Sequence, residues 1–326
     1  MTIPNQKRPL QFALFLLLCL TAGSGVAQRA VGMLRAPGIA LREGIPVRPV
    51  AAGEVAPAAP LHRFTFERNL IFFHALVDGR PGDFILDTGA PSLIVNHRGQ
   101  EGTAATALSG QGAGGEVALS QHHVERFELG GRTIKNYWAI GLDLRSMEAR
   151  TERSIDGFVG YDLINTGELR IDYAGQSFQL LPSVRRPTLN GRPPRAEFRF
   201  ELVDHLPVIR LQFGRRRYAF AVDTGAGTNL IDARWLAAHS ELATATGRSM
   251  NIQGLDGGTL TTKIVSMATP RSLRSAGGNA TLDGVVMELD HLQRPGGTQL
   301  TGILGSGFLS GYTVGIDYRR RKLYLW

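Results

Sequence analysis

Phe84-Ile85-Leu86-Asp87-Thr88-Gly89-Ala90 and Phe220-Ala221-Val222-Asp223-Thr224-Gly225-Ala226 decide the reading of this chain: each is an apolar run that ends on the same tetrapeptide. At ordinary residue usage a given tetrapeptide arises by chance at roughly one position in 10^5, so a second copy in the same context needs a cause. That cause is an internal repeat. With Asp87 set on Asp223, Arg63-Phe64-Thr65-Phe66 falls on Arg199-Phe200-Glu201-Leu202, and Leu93-Ile94-Val95 on Asn229-Leu230-Ile231. Farther along the register shifts by nine residues. There Phe158-Val159-Gly160 meets Ile303-Leu304-Gly305, Leu169-Arg170-Ile171-Asp172-Tyr173 meets Val314-Gly315-Ile316-Asp317-Tyr318, and Leu180-Leu181 meets Leu325-Trp326. The chain is two similar units in tandem, each delivering one aspartate loop.

Length and composition agree. A chain of 326 residues, 43% hydrophobic, can bury two ordinary cores. Its 40 glycines and short apolar runs predict a turn-rich, mostly β fold. Leu70-Ile71-Phe72-Phe73, a turn at Asp78-Gly79 and Phe84-Ile85-Leu86 read as a hairpin whose outgoing strand ends at Asp87. Val208-Ile209-Arg210-Leu211, a turn near Gly214 and Tyr218 to Val222 repeat it. Only Ala233 to Ala245 reads as helix, because Trp235, Leu236, His239 and Leu242 fall on one face.

Residues 1–27 have the layout of a secretory signal: Lys7 and Arg8, an apolar stretch from Leu10 to Leu20, then small residues ending Gly25-Val26-Ala27. Cleavage after Ala27 is expected, giving a periplasmic or secreted protein without a membrane span; retention would leave it anchored. The single cysteine, Cys19, lies inside this segment, so the mature chain has no thiol chemistry. Residues 28–60, rich in Ala, Pro, Gly and Val, read as a tether or pro-segment. Residues 183–196, with Pro187, Gly191, Pro193 and Pro194, read as a linker between units spanning 61–182 and 197–326. Removing Lys7 and Arg8 lowers the net charge from +8 to +6. The remaining arginines cluster at expected turns, 215–217 and 319–321, so they read as solvated tips rather than a nucleic-acid surface.

An aspartate at the end of a buried strand, followed by Thr and Gly, suits acid–base chemistry. Glycine lets the backbone turn sharply and brings its amide near the carboxylate, and the threonine hydroxyl can tie one loop to another. Burial raises the carboxyl pKa. One such loop is equally an Asx turn; two on homologous units point to a carboxylate pair.

Here the sequence resembles the aspartic proteases of the retroviral and pepsin type. The resemblance covers Phe64 to Trp326 and rests on Asp-Thr-Gly-Ala twice and on Phe158-Val159-Gly160 and Ile303-Leu304-Gly305, the Asp156 to Gly160 segment matching most closely. It implies two homologous acid-protease-like β-barrel lobes in tandem, with Asp87 and Asp223 as the catalytic pair at their interface. Thr88, Gly89, Ala90, Thr224, Gly225 and Ala226 would support the loops. Two carboxyls about 3 Å apart cannot both ionise and share one proton. The ionised member takes a proton from an attacking water while the protonated one donates to the developing oxyanion, so neither metal nor organic cofactor is implied. The implied activity is that of an aspartic endopeptidase acting, as a monomer, on an extended polypeptide. The alternative is a non-catalytic peptide-binding or scaffolding protein that retains the fold.

Ala90 and Ala226 resemble the retroviral pattern rather than the Ser or Thr of many pepsin-like members. Lacking a hydroxyl to stabilise the ionised carboxylate, the pair is expected to work at mildly acidic to near-neutral pH. Glycine-rich segments are candidates for hairpins that close over a substrate: Gly112, Gly114 and Gly115 in the first unit, Gly254, Gly257 and Gly258 in the second. His122 and His123 lack the spacing of a zinc site and read as surface residues. No GxSxG segment occurs. Asp172 and Asp317 read as turn residues.

Overall fold

Leu70 to Phe73 are apolar on successive residues because both faces of the strand Leu70–Val77 are covered there. A computed structural model, describing residues 12–14, 59–99, 108–112, 115–129, 131–253, 259–275, 277, 281–292 and 297–326, shows that Ile71, Phe73 and Ala75 enter the main core while Leu70 and Phe72 enter a smaller one. Side chains of a strand alternate between faces, so a sheet sandwiched between two apolar layers loses its polar positions. The second half copies this: Ile209 and Leu211 join the main core, Leu206 and Val208 a second small one. The small cores match residue by residue under the repeat, for example Ile94 with Leu230, Leu144 with Leu289 and Met147 with Leu292.

The structure is mostly β. Leu70–Val77 pairs with Arg80–Leu86 across a turn at Asp78 and Gly79, whose φ values of 51° and 76° are the left-handed pair of a tight hairpin. Leu206–Phe213 pairs with Arg216–Val222 across a turn in which Gly214, with φ of 59°, is the left-handed residue. In each half a short strand then slots in beside the hairpin. Gly157–Val159 runs parallel to Arg80–Leu86 and antiparallel to Ile94–Asn96. Leu300–Leu304 runs parallel to Arg216–Val222 and antiparallel to Leu230–Asp232.

One antiparallel sheet draws strands from both halves, in the order His62–Glu67, Ser177–Leu181, Glu168–Asp172, Thr313–Asp317, Lys322–Leu325, Ala196–Val203. At its centre Arg170 pairs with Gly315, its own repeat counterpart. Between Leu181 and Ala196 the regular pairing is a bridge from Leu189 to Arg192. Phe12–Leu14, within the leader-like segment, lies parallel to Asn251–Gln253.

The helix expected over Ala233 to Ala245 is shorter. It covers Ala233–Ala238, is capped by the Asp232 carboxylate accepting from the Trp235 amide, and is followed by a 3-10 turn and by strand Ala243–Gln253. The His239 ring stacks on Trp235 and closes the helix, and Thr244 and Thr246 favour the extended chain that pairs with Thr259–Ala268. Short helices also form at Arg145–Thr151, Tyr161–Ile164, Arg271–Ser275 and Ser306–Leu309, where few residues offered a period to read.

Candidate active site

Each aspartate is delivered by a strand held from both sides. The Asp87 amide donates to the Val159 carbonyl at 3.0 Å, and the Asp223 amide to the Leu304 carbonyl at 3.0 Å. The next residue in each supporting segment, Gly160 or Gly305, touches the aspartate loop itself. A Cβ on Gly160 would lie 2.5 Å from the Ala90 and Ser92 carbonyl oxygens, and one on Gly305 would lie 2.3 Å from that of Thr228 and 2.4 Å from that of Ala226. This close approach is the physical content of the pattern of two apolar residues and a glycine.

The two loops grip each other. The Thr88 amide donates to Thr224 Oγ1 and the Thr224 amide to Thr88 Oγ1, both at 3.0 Å. Each hydroxyl then donates onward across the junction, Thr88 to the Val222 carbonyl at 3.2 Å and Thr224 to the Leu86 carbonyl at 2.8 Å. All four groups are buried, where an unmade hydrogen bond costs most. The glycines cross over as well. A Cβ on Gly89 would lie 2.6 Å from the Asp223 carboxyl, and one on Gly225 would lie 2.3 Å from that of Asp87.

Each carboxyl is thereby set against the glycine of the opposite loop, close enough for the two to influence each other's titration. Both side chains are 0% exposed. Asp87 Oδ1 accepts from the amides of Gly89 at 2.7 Å and Ala90 at 3.1 Å, and Asp223 Oδ1 from that of Gly225 at 2.8 Å. Oδ2 of each is buried without a protein donor. Burial, together with the neighbouring Asp223 charge, holds Asp87 well above the ordinary carboxyl range. Burial pushes Asp223 up to about 6, against the opposing pull of its hydrogen bonds to Asp87 and to backbone amides. Such a pair retains one proton at mildly acidic pH. Ala90 and Ala226 have a packing reason too: both methyls are fully buried in the small cores, where a hydroxyl would need a partner.

Residues not singled out from sequence complete the site. Ser306 is buried, donates from Oγ to the Thr224 carbonyl at 3.1 Å, and lies 3.4 Å from the Tyr173 hydroxyl. Tyr318 packs edge-on against Tyr161, and its hydroxyl titrates far above normal through burial and the charges of Tyr161, Asp223 and Asp87. His205 reaches from the second half to the Gly89 carbonyl. The recurrence of Tyr after Asp172 and Asp317 was the available signal for the tyrosines. The two aspartates do make turns, Asp172 accepting from the Gly175 amide and Asp317 from that of Arg320. Nothing in the sequence around His205 distinguishes it.

Of the hairpin glycines, Gly112 pairs with Gly115 at the tip of a hairpin formed by Leu108–Gly112 and Gly115–Leu129. Gly114, Gly254, Gly257 and Gly258 lie outside the described residues. In the second half Gln253 pairs with Thr259 in the corresponding hairpin. His122 is half-buried and His123 exposed. Among the described residues no cluster of His, Cys, Asp and Glu suited to a metal ion is present, and no helix is long and apolar enough to cross a membrane.

Residues 73–163 match the aspartyl protease family. The match takes in Asp87 to Ala90 and the supporting Gly157 to Gly160, so this segment is similar to the aspartyl proteases. Comparison with curated proteins finds no match. The second aspartate loop lies beyond the matched segment, so its kinship rests on the internal repeat and on the grip with the first.

Proposed function

We propose that the chain is an aspartic endopeptidase of two tandem lobes, 61–182 and 197–326, with Asp87 and Asp223 as one catalytic pair at their interface. The observation that carries this reading is the reciprocal threonine grip, which sets each buried carboxyl against the glycine of the opposite aspartate loop. The shared proton makes one carboxyl a base and the other an acid. As water attacks a peptide carbonyl, the ionised member removes its proton and the protonated member donates to the oxygen on which charge develops. The raised titration of the pair supports work at mildly acidic to near-neutral pH.

With both carboxyls closed from solvent, substrate entry requires opening, and the hairpins 108–129 and 243–268 are the proposed covers. The substrate is an extended polypeptide and the enzyme a monomer, released to the periplasm or medium by cleavage after Ala27. Cleavage of a peptide library by purified residues 28–326 across pH 3 to 8 tests the reading. Activity that vanishes in Asp87→Asn and peaks above about pH 4 is expected; persistent cleavage by Asp87→Asn removes the pair from the mechanism.

The complete burial of both carboxyls also favours a second reading, a peptide-binding protein that keeps the fold without cleaving. Peptide binding by a wild-type protein that cleaves nothing at any pH would establish it.

A further inference from the structure

His205 stands where the pseudo-symmetry of the site breaks. Its repeat counterpart, Asn69, is exposed in a left-handed turn with φ of 62°, whereas His205 is buried and its Nε2 lies 2.6 Å from the carbonyl oxygen of Gly89. A carbonyl oxygen only accepts, so Nε2 carries the hydrogen and Nδ1 is the unprotonated nitrogen of the neutral ring. Burial lowers the imidazole pKa and so favours the neutral ring, against the opposing effects of the Gly89 hydrogen bond and the Asp204 charge.

The carbonyl that His205 holds shares a peptide unit with the Ala90 amide, and that amide donates to Asp87 Oδ1 at 3.1 Å. A donor on the carbonyl side of a peptide polarises its N–H and strengthens the bond it makes. We infer that His205 is a positioning residue for the carboxylate pair. From the second half of the chain it fixes the Gly89–Ala90 peptide and, through the Ala90 amide, stabilises the ionised form of the pair. The groups facing the ring are the Gly89 carbonyl, the neighbouring Asp204 and the ring of Tyr161 at 6.5 Å. The inference rests on the proposed pair; the grip alone would hold the loops together without this donor.

Two substitutions separate the donor from the packing. His205→Leu fills much of the space without a donor, and His205→Gln returns an N–H near the Nε2 position. The primary readout is a 13C titration of the Asp87 and Asp223 carboxyl carbons, which needs no substrate. Without the donor the ionised form is less favoured, so the lower macroscopic step should rise by about half a pH unit in His205→Leu and return in His205→Gln. In cleavage assays His205→Leu should lose about tenfold in kcat with KM within about twofold, and the acid limb should move to higher pH.

An unmoved carboxyl titration in folded His205→Leu overturns the inference. So does a 15N spectrum showing the wild-type ring protonated on Nδ1 alone, a measurement that holds even if His205→Leu does not fold. If the wild-type protein cleaves no peptide, the peptidase reading fails while the carboxyl titration still decides the role of His205.

Discussion

The loops at Asp87 and Asp223 are identical in sequence and nearly identical in their grip, yet their flanks are built differently. Beside the first, Ser92 Oγ lies 2.8 Å from the Tyr137 hydroxyl, which in turn donates to Asp162. The second half places Thr228, Leu282 and Gly307 at those positions, and a cavity of about 560 Å³ opens there, lined also by Asn229, Phe308 and Tyr312. The grip uses backbone groups and two hydroxyls, so any pair of units carrying the tetrapeptide can make it. The flank depends on side-chain volume, and that has diverged.

A third class of contact is conserved in geometry though not in residue type. Asn96 Oδ1 accepts from the Leu144 amide, and Asp232 Oδ2 accepts from that of Leu289, its repeat counterpart. What the halves share is therefore the grip and the strands that support it; apart from His205 on the Gly89 carbonyl, what they do not share lies one layer out.

The comparison is broken most severely at the carboxyls. Asp87→Asn and Asp223→Asn should each lower kcat/KM by about a thousandfold, a loss typical of removing an acid–base group; a peptide assay in which only one of them is impaired would show that the loops are equivalent in shape alone.

Next come the crossing glycines. In Gly225→Ala the new Cβ meets the Asp87 carboxyl at 2.3 Å, and in Gly89→Ala it meets Asp223 at 2.6 Å. Each should lose about 3 kcal/mol in urea unfolding through overpacking, with Gly225→Ala the worse.

The titration of the pair predicts a pH slope. Asp223 has an ordinary value of 3.8 and a folded value of about 6, so between these the folded state holds a proton that the unfolded state has released. Stability is highest at or below the lower value and falls as pH rises to the upper one. The fall attributable to this carboxyl is about 2 to 3 kcal/mol, and Asp223→Asn should flatten it in unfolding curves taken at pH 4 and pH 7.

The grip comes next. Thr88→Val and Thr224→Val should each cost about 2 kcal/mol, because each removes a buried donor and the acceptor of the opposite amide. Since they share a network, the double variant should cost less than the two losses added together. Smallest is Tyr137→Phe, which unties the flank of the first half alone and should cost about 1 kcal/mol. Equal changes in peptide affinity from Tyr137→Phe and Leu282→Ala would show the flanks to be interchangeable after all.

Much of this was legible in the residues. The tandem repeat, the hairpins before each aspartate and the glycines of the supporting strands all leave marks on residue type, because burial on both faces demands apolar runs and close approach demands Gly. Trp235, Leu236, His239 and Leu242 share a helical spacing, but the helix stops at Ala238 because the His239 ring stacks on Trp235 and the chain turns into a strand. Asp172 and Asp317 make the turns that their sequence predicts, while the tyrosines after them recur because they are buried, Tyr173 beside Ser306 and Tyr318 against Tyr161.

Two tetrapeptides and their apolar lead-ins are enough to set two aspartates on matching strands and to expect that they meet. How they meet, and which neighbours they find, is a matter of packing. His205 lies 116 positions from the glycine it holds, and its partner is a backbone carbonyl. A hydrogen bond to the main chain puts no constraint on the residue type that receives it, so no pattern in the sequence records that contact.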